Sequence, residues 1–240
     1  MKIILSGYGR MGRQVEKIAL QRNHTIAAIV DTVDDFKKYR TQIAAADVAI
    51  DFSMPNAAAD NILRFFEVKI PVVVGTTGWY ERLEEIKNQC INEKQSLLYA
   101  TNMSLGVNLF FELNRKLAKL LHPYSEYQPS IKETHHIHKK DAPSGTAITL
   151  ANDILQQYPQ LSGWTLATSD EISGKLPITA IREGEIVGTH EVKYHSLVDE
   201  ISITHAAFSR EGFAVGAVCA AEWLPGHFGI FTMQDVIKQL

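Results

Sequence analysis

Short apolar segments alternate with amphipathic segments along the first hundred residues of the chain. The amphipathic segments carry apolar residues three and four positions apart, a spacing that predicts helices at residues 12–22, 56–67 and 81–93. The apolar segments are bounded by glycine, proline or polar residues, and they predict buried strands at residues 2–6, 25–30, 47–52, 70–74 and 96–100. Strands and helices in this alternation are typical of βαβ units, so we predict an α/β domain with a parallel sheet of the Rossmann type.

The pattern changes in the second part of the chain. A long amphipathic helix is predicted at residues 105–121, followed by a strand at 129–134 and a helix at 146–157. Strand-like segments fill residues 161–207, and an apolar helix is predicted at 212–224. Because helices are scarce between 161 and 207, we predict an α+β second domain built on an open, mixed sheet.

The composition is that of an ordinary folded protein, with 45% apolar residues, 21% charged residues and a formal charge of −3. It excludes a disordered chain and shows no basic excess, so we predict no nucleic-acid partner. Cys90 and Cys219 cannot form a disulfide framework, and no CxxC spacing for a metal site occurs. No apolar run is long enough to span a bilayer or to form a signal-peptide core. We therefore expect a cytoplasmic protein with no membrane partner.

A GxGxxG motif lies directly after the first predicted strand and directly before the first predicted helix. In such a loop the first glycine allows a tight turn, the second lets the backbone approach a pyrophosphate, and the third permits close helix–strand packing. The following helix offers unpaired N–H groups and the positive end of its dipole. The alternative is a glycine-rich turn without a ligand. We predict that a dinucleotide contacts the residues of this loop, Gly7, Tyr8, Gly9, Arg10, Met11 and Gly12.

Asp31 ends the second predicted strand, where a dinucleotide-binding domain has the acidic residue that binds the ribose. A carboxylate there accepts hydrogen bonds from a 2′-OH and repels a 2′-phosphate, which favours NADH over NADPH. Lys37 and Lys38 follow closely and could soften this preference. The alternative role of Asp31 is a solvated strand end. The predicted cofactor is NADH or NADPH, with NADH favoured.

Small and hydroxyl-bearing residues follow the later strands of the predicted parallel sheet. Ligands of open parallel sheets bind at the carboxyl ends of the strands, and small residues there let a cofactor approach the backbone. We therefore assign the segments 51–53 and 75–78 to the same site, with 101–104 after the next strand. Asn102 and Ser104 are also residue types that are typical of turns and helix caps.

The segment from Glu133 to Ala147 contains three of the nine histidines within four residues. Whether the segment is extended or helical, His135 and Lys139 are expected on one side of it. Ser144 is a suitable N-cap residue, and the helix after it would leave the N–H groups of Gly145 and Thr146 free to bind a carboxylate. A histidine beside such a site can donate a proton near neutral pH.

These histidines have two alternative roles. They could bind a metal ion, but no HExxH motif or Cys/His spacing accompanies them, so we predict no metal site. They could also lie in a solvated loop, although so many functional side chains in one loop argue against this. The residues themselves thus predict an anionic substrate held beside a proton donor.

The segment ETHHIHKKDAPSGTA resembles the signature of the bacterial dihydrodipicolinate (4-hydroxy-tetrahydrodipicolinate) reductase family. The resemblance extends over nearly the whole chain. Further matching segments are GRMG at 9–12, DFS at 51–53, GTTG at 75–78, NMSLGVN at 102–108, REGEIVGTHEV at 182–192 and THAAFSREGFAVGAVCAAEWL at 204–224.

The resemblance implies an enzyme that reduces a cyclic dicarboxylate on the route to diaminopimelate and lysine, with hydride from NADH or NADPH. It implies His135 as proton donor and acceptor, Lys139 as a second proton donor, and His136, Gly145 and Thr146 as contacts of the substrate carboxylate. The implied cofactor contacts beyond the glycine loop and Asp31 are Gly75, Thr76, Thr77, Thr101, Asn102, Met103, Ser104, Arg210 and Phe213. The last two would close over the nicotinamide, although core packing is the commoner role of a phenylalanine.

The resemblance also implies the domain organisation. Residues 1–104 and 209–240 are expected to form the dinucleotide-binding domain, and residues 105–208 the domain for substrate binding and oligomerisation. The family is usually tetrameric, so a homotetramer is expected. Two other functions remain open: an NAD(P)-dependent dehydrogenase of another small acid, which leaves the histidine segment unexplained, and a dinucleotide-binding sensor without catalysis, which needs only the glycine loop and Asp31.

Overall fold

The computed structural model describes residues 1–167 and 173–239 of the chain. Its strands are β1 (Lys2–Ser6), β2 (Thr25–Val30), β3 (Val48–Asp51), β4 (Val72–Val74), β5 (Ser96–Tyr99), β6 (Gln128–His135), β7 (Trp164–Leu166), β8 (Leu176–Arg182), β9 (Gly188–His195), β10 (Glu200–Ala207) and β11 (Gly229–Phe231). Its helices are α1 (Arg10–Gln21), α2 (Val33–Lys38), α3 (Arg40–Ala44), α4 (Pro55–Glu67), α5 (Leu83–Asn92), α6 (Leu105–Leu121), α7 (Gly145–Leu155), α8 (Glu211–Trp223) and α9 (Met233–Ile237).

The first sheet has six parallel strands in the order β11-β5-β4-β3-β1-β2. Its strands are apolar on both faces because helices cover both. Ile3 and Leu5 of β1 belong to a core cluster with α1 and α8, whereas Ile4 between them belongs to a second cluster with α4 and α5. The predicted parallel sheet of the Rossmann type is confirmed.

The second sheet has five strands in the order β10-β9-β6-β8-β7 and is mixed. β6 is parallel to β8 and antiparallel to β9, and α7 packs against β6, β8 and β9. The prediction of an open, mixed sheet is therefore confirmed. Residues 168–172, which belong to the region predicted to be strand-like, lie outside the described residues.

The chain forms two compact units, one of residues 1–108 with 211–240 and one of residues 109–210. The first unit therefore consists of two separate stretches of chain. Its C-terminal stretch supplies α8 to the core and β11 to the edge of the parallel sheet. Among the described residues, no helix has both the length and the apolar character that a membrane crossing requires.

Candidate active site

The glycine loop between β1 and α1 is held by the close approach of backbone atoms. Gly7 has φ +85°, and a Cβ there would lie 2.4 Å from the carbonyl oxygen of Phe52. A Cβ on Gly12 would lie 2.2 Å from the carbonyl oxygen of Gly7. A Cβ on Gly9, in contrast, would have no heavy atom within 4 Å, so the backbone there is open to a ligand. No side chain caps α1, so the N–H groups of its first turn remain available to an anion.

Asp31 lies where the glycine loop meets the end of β2. Its Oδ1 accepts a hydrogen bond from the backbone N–H of Tyr8 at 3.0 Å, so the carboxylate is fixed relative to the loop. It lines a cavity of about 270 Å³ together with side chains that include Phe36, Asp60 and Arg64. An acidic residue in an open cavity beside a glycine loop fits the ribose of a dinucleotide.

A buried carboxylate, that of Asp51, organises the loops at the carboxyl ends of β1, β3 and β4. It is fully buried and accepts hydrogen bonds from Ser6 Oγ at 2.6 Å, Thr76 Oγ1 at 2.5 Å and Ser53 Oγ at 2.9 Å. Both the hydroxyl and the backbone carbonyl of Thr76 are engaged within the protein, because Trp79 Nε1 donates to Thr76 O at 2.9 Å. Gly75 is required nearby, because a Cβ there would lie 2.2 Å from the ring of Phe52.

The loop after β5 serves mainly to start α6. Asn102 Oδ1 accepts a hydrogen bond from the N–H of Ser104, and Ser104 Oγ accepts one from the N–H of Val107 at the first turn of the helix. The side chain of Met103 is buried in the core, whereas Thr101 is exposed. The capping role considered for Asn102 and Ser104 is therefore present.

The two residues expected to close over the nicotinamide have different surroundings. Arg210 is exposed at the end of the second unit. Phe213 lies in the first turns of α8 and packs, partly buried, against the core cluster of the first unit. Core packing thus accounts for part of the surface of Phe213.

In the second unit, β6 directs alternate side chains inward: Ile131, Glu133 and His135 are buried on one face. The register of the sheet places His190 of β9 opposite Glu133 and Arg182 of β8 opposite His135. The geometry therefore collects a carboxylate, two imidazoles and a guanidinium at the end of β6.

His135 is only 7% exposed and lies in a crowded, charged environment. Its Nδ1 lies 3.5 Å from Glu133 Oε2 and has no hydrogen-bond partner, and its ring meets that of His190 edge-on at 5.0 Å. Burial lowers the pKa of His135 to about 4; the nearby Glu133 opposes this shift, whereas His190, Lys139 and Arg182 add to it. The imidazole is therefore neutral at pH 7 unless an added negative charge raises its pKa.

After His135 the chain makes a turn, with the N–H of Lys139 donating to the carbonyl of His136 at 3.2 Å. The segment is thus neither an extended strand nor a helix, the two conformations from which we predicted the common side of His135 and Lys139. Lys139 nevertheless lies near enough to lower the pKa of His135. Its Nζ is 2.7 Å from both carboxylate oxygens of Asp141. His136 is partly buried, and its backbone N–H donates a hydrogen bond to the carbonyl oxygen of Ile186 at 2.7 Å.

Ser144 is the N-cap residue of α7, and its Oγ accepts a hydrogen bond from the N–H of Ala147 at 3.2 Å. The same Oγ lies 3.1 Å from His190 Nε2. A Cβ on Gly145 would have no heavy atom within 4 Å, so the start of the helix is open. The N–H groups of Gly145 and Thr146 lie in the first turn, where an α-helix provides no partner for them. An anion could be held there.

Sequence reasoning did not single out Glu133, Arg182 or His190 as members of this site. Their positions follow from the pairing of β6 with β8 and β9, which the sequence alone did not give. The alternation of Ile131, Glu133 and His135 was a usable signal, because it puts a carboxylate on the buried face of a strand.

Ligand atoms of Glu133, His135 and His190 all lie within 4.8 Å of one another, which is a spacing that could hold a metal ion. However, Arg182 Nη2 donates to Glu133 Oε1 at 3.0 Å, and the N–H of Ser144 donates to both carboxylate oxygens. The carboxylate is thus already bonded to a cation and to an amide, which disfavours a metal at this place.

Two family models match the chain. The N-terminal model of dihydrodipicolinate reductase covers residues 1–103, and the C-terminal model of the same family covers residues 106–237. A 4-hydroxy-tetrahydrodipicolinate reductase from Christiangramia forsetii is 50% identical over 240 residues, which is 100% of this chain and 99% of that protein. The one from Archaeoglobus fulgidus is 35% identical over 267 residues, with 99% and 100% covered.

Solved structures share the fold. Dihydrodipicolinate reductase from Paenisporosarcina sp. TG-14, with bound dipicolinate, superposes with a TM-score of 0.77 at 20% sequence identity, and the match covers 97% of both chains. A probable dehydrogenase from Thermotoga maritima gives a TM-score of 0.57 at 11% identity, covering 98% of this chain and 92% of the other.

Proposed function

The chain belongs to the dihydrodipicolinate reductase family, an assignment that makes it an NAD(P)H-dependent oxidoreductase of diaminopimelate and lysine biosynthesis, and from this premise we propose the roles of its residues. The reaction is the reduction of 4-hydroxy-tetrahydrodipicolinate to tetrahydrodipicolinate. The observation that carries the proposal is the buried His135 near Lys139 in the unit whose helix α7 has an open N-terminus. We further propose a cytoplasmic homotetramer.

The substrate is a dicarboxylate, and the second unit offers groups for a carboxylate. The N–H groups of Gly145 and Thr146 point from the first turn of α7, where the helix dipole favours an anion. Lys139 supplies a positive charge and His136 a further donor. Bound in this way, the substrate is fixed relative to His135, so that proton transfer becomes an intramolecular step.

His135 donates the proton. With its pKa lowered to about 4 the side chain is neutral in the free protein, but the negative charge of a bound dicarboxylate raises the pKa again. The protonated donor is thereby formed when the substrate is present. Lys139 supports it as a second proton donor. The bound nicotinamide supplies the hydride.

The first unit holds the cofactor. The open backbone at Gly9 and the first turn of α1 take the pyrophosphate, and Asp31 takes the ribose hydroxyls. Gly75, Thr77 and the exposed Thr101 extend this site along the carboxyl ends of the strands. The carboxylate of Asp31 repels a 2′-phosphate, so we propose that NADH is preferred to NADPH.

Replacement of Asp31 by Asn is expected to raise the ratio of kcat/KM for NADPH to that for NADH about tenfold, because a charge near a phosphate contributes about 1–4 kcal/mol. The amide oxygen can still accept the hydrogen bond from the N–H of Tyr8, so the loop is preserved. Asp34→Asn is the matched control, since Asp34 is an exposed carboxylate of α2 that does not line the cavity. Equal ratios in wild type and Asp31→Asn would remove Asp31 from cofactor selection.

The proposed function is tested by following NADH and NADPH oxidation at 340 nm while the substrate is generated from pyruvate and aspartate semialdehyde by the preceding synthase. Oxidation that depends on the synthase is expected. Cofactor binding without oxidation would contradict the proposed reaction and favour a sensor. Oxidation with another small acid only would favour a different dehydrogenase.

A further inference from the structure

Glu133 is a buried, ionised side chain to which the mechanism above gives no role. None of its surface is exposed. Burial raises the pKa of its carboxyl, but the nearby His190 and the hydrogen bonds from Ser144 and Arg182 outweigh burial and bring the pKa down to about 2. Burying a charge costs free energy, so we asked what the bonds around this carboxylate hold in place.

The carboxylate joins the three chain segments that carry the substrate groups. The N–H of Ser144, at the start of α7, donates to both of its oxygens, at 3.0 and 3.1 Å. Arg182 Nη2 donates to Oε1 at 3.0 Å and also to the carbonyl of Asp141, in the loop that carries Lys139. On the third side, Oε2 lies 3.5 Å from His135 Nδ1.

The bond to Ser144 is directly relevant to carboxylate binding. Ser144 is the N-cap of α7, and the next two residues carry the N–H groups that we assign to the substrate. A shift of Ser144 would change the direction of these two N–H groups at the start of α7. The bond from Arg182 to Asp141 O likewise fixes the loop in which Lys139 is paired with Asp141.

We propose that Glu133 is a positioning residue, which holds the N-terminus of α7 and, through Arg182, the Lys139 loop in a fixed arrangement around His135. The proposal rests on the proposed function of the same site. Glu133 touches neither reacting atoms nor cofactor. Its effect is exerted through the backbone N–H of Ser144 and the guanidinium of Arg182.

The charge of Glu133 also acts on the proton donor. The charged and titratable groups that face His135 are Glu133 from its own strand, Arg182 from β8, His190 from β9 and Lys139 from the following loop. Glu133 raises the pKa of His135, and the other three lower it. A protonated donor is active below its pKa, so loss of the Glu133 charge moves the pH at which activity declines to a lower value.

The test uses Glu133→Gln in the full-length protein. The amide of glutamine accepts hydrogen bonds only on its oxygen. Its NH₂ group therefore faces a donor, either the N–H of Ser144 or the guanidinium of Arg182, and that hydrogen bond is lost. The dissociation constant of dipicolinate, a planar dicarboxylate used as a probe and measured by calorimetry, is expected to rise about tenfold, with a similar rise in substrate KM. The pH above which kcat declines is expected to be about one unit lower than in the wild type. The NADH dissociation constant should not change, because the residues that we propose for the pyrophosphate and the ribose belong to the other unit.

Two further variants make the test specific. Asp153→Asn removes another buried, ion-paired carboxylate of the same unit, one that lies near the C-terminal end of α7 and is bonded to Arg115 at 3.1 Å. It should leave dipicolinate binding and the pH profile at wild-type values. Glu133→Asp keeps the charge but shortens the side chain, so it should restore the pH profile more fully than the affinity for dipicolinate.

The proposal is overturned by a folded Glu133→Gln protein with wild-type dipicolinate affinity and pH profile, or by equal losses of dipicolinate and NADH binding, which would indicate a general structural role. If the variant does not fold, Arg182→Lys replaces it, and wild-type dipicolinate affinity there would also overturn the proposal. If the wild-type protein is inactive, the proposed function is contradicted instead. The role of Glu133 is judged separately, because each variant is compared with the wild-type protein.

Discussion

Replacement of His135 by Gln lowers kcat by about 10²–10⁴-fold, the contribution that a positioned general acid typically makes. The side-chain amide of glutamine does not act as an acid at any pH used for the assay. The dissociation constant of NADH, measured by quenching of protein fluorescence, is expected to stay at the wild-type value, because the residues that we propose for the pyrophosphate and the ribose lie in the first unit. The substrate KM is expected to change little, since the groups that we propose for the carboxylate, the start of α7 and Lys139, are unaltered.

The variant is expected to fold. The Nδ1 of His135 has no hydrogen-bond partner, so the substitution breaks no bond at that atom. A Cβ on Gly188 would lie 3.0 Å from the Nε2 of His135, so the surroundings are tight but the slimmer glutamine fits. His138→Gln is the matched control: His138 is exposed, lies 3.5 Å from Glu185, and has no role in the proposed site. A kcat of His135→Gln within twofold of that of His138→Gln would remove His135 from the mechanism.

The fold of the first unit could be predicted because its signals are local. Apolar runs and helical spacing identify β1 to β5 with α1, α4 and α5, and their alternation leaves a parallel sheet as the solution. β11 and α9 were not predicted. β11 has only three residues and no periodicity, and it is a strand because Gly229–Phe231 pairs with Ser96–Leu98 far away in the sequence.

The candidate site divides in the same way. The glycine loop and Asp31 are adjacent in the fold because a βαβ unit brings the ends of neighbouring strands together, so spacing alone predicts them. The surroundings of His135 depend on which strands pair and in which register. Arg182 and His190 lie on two different strands, and a shift of one residue in either register would turn them to the other face of the sheet. Nothing local to these residues encodes that register.

The shifted pKa of His135 depends equally on tertiary structure. A histidine in a solvated loop titrates near its ordinary value, and the sequence placed no limit on its burial. The structure shows that its neighbours include three groups that oppose its protonation and one that favours it. In the proposed mechanism, the imidazole of His135 is therefore neutral until a substrate carboxylate binds, so that proton transfer would depend on substrate binding.

Replacement of Lys139 by Met is expected to lower kcat/KM for the substrate about 10²-fold, because a hydrogen bond to a charged group is worth about 1.5–3 kcal/mol and a second proton donor is lost as well. The ammonium group of Lys139 already binds a carboxylate, with both oxygens of Asp141 at 2.7 Å. The site therefore has the geometry to hold a substrate carboxylate in competition with Asp141. The affinity for dipicolinate should fall together with kcat/KM.

The neighbouring lysine and the conservative change separate charge from position. Lys140→Met removes an exposed ammonium one residue further on and should leave kcat/KM at its wild-type value. Lys139→Arg keeps the positive charge but cannot be deprotonated, so it should retain most of the dipicolinate affinity and lose kcat. If Lys139→Arg keeps full kcat, Lys139 acts only as a binding charge and His135 alone supplies the proton. If Lys139→Met behaves like Lys140→Met, the substrate carboxylate is held without Lys139, and the N-terminus of α7 carries that role.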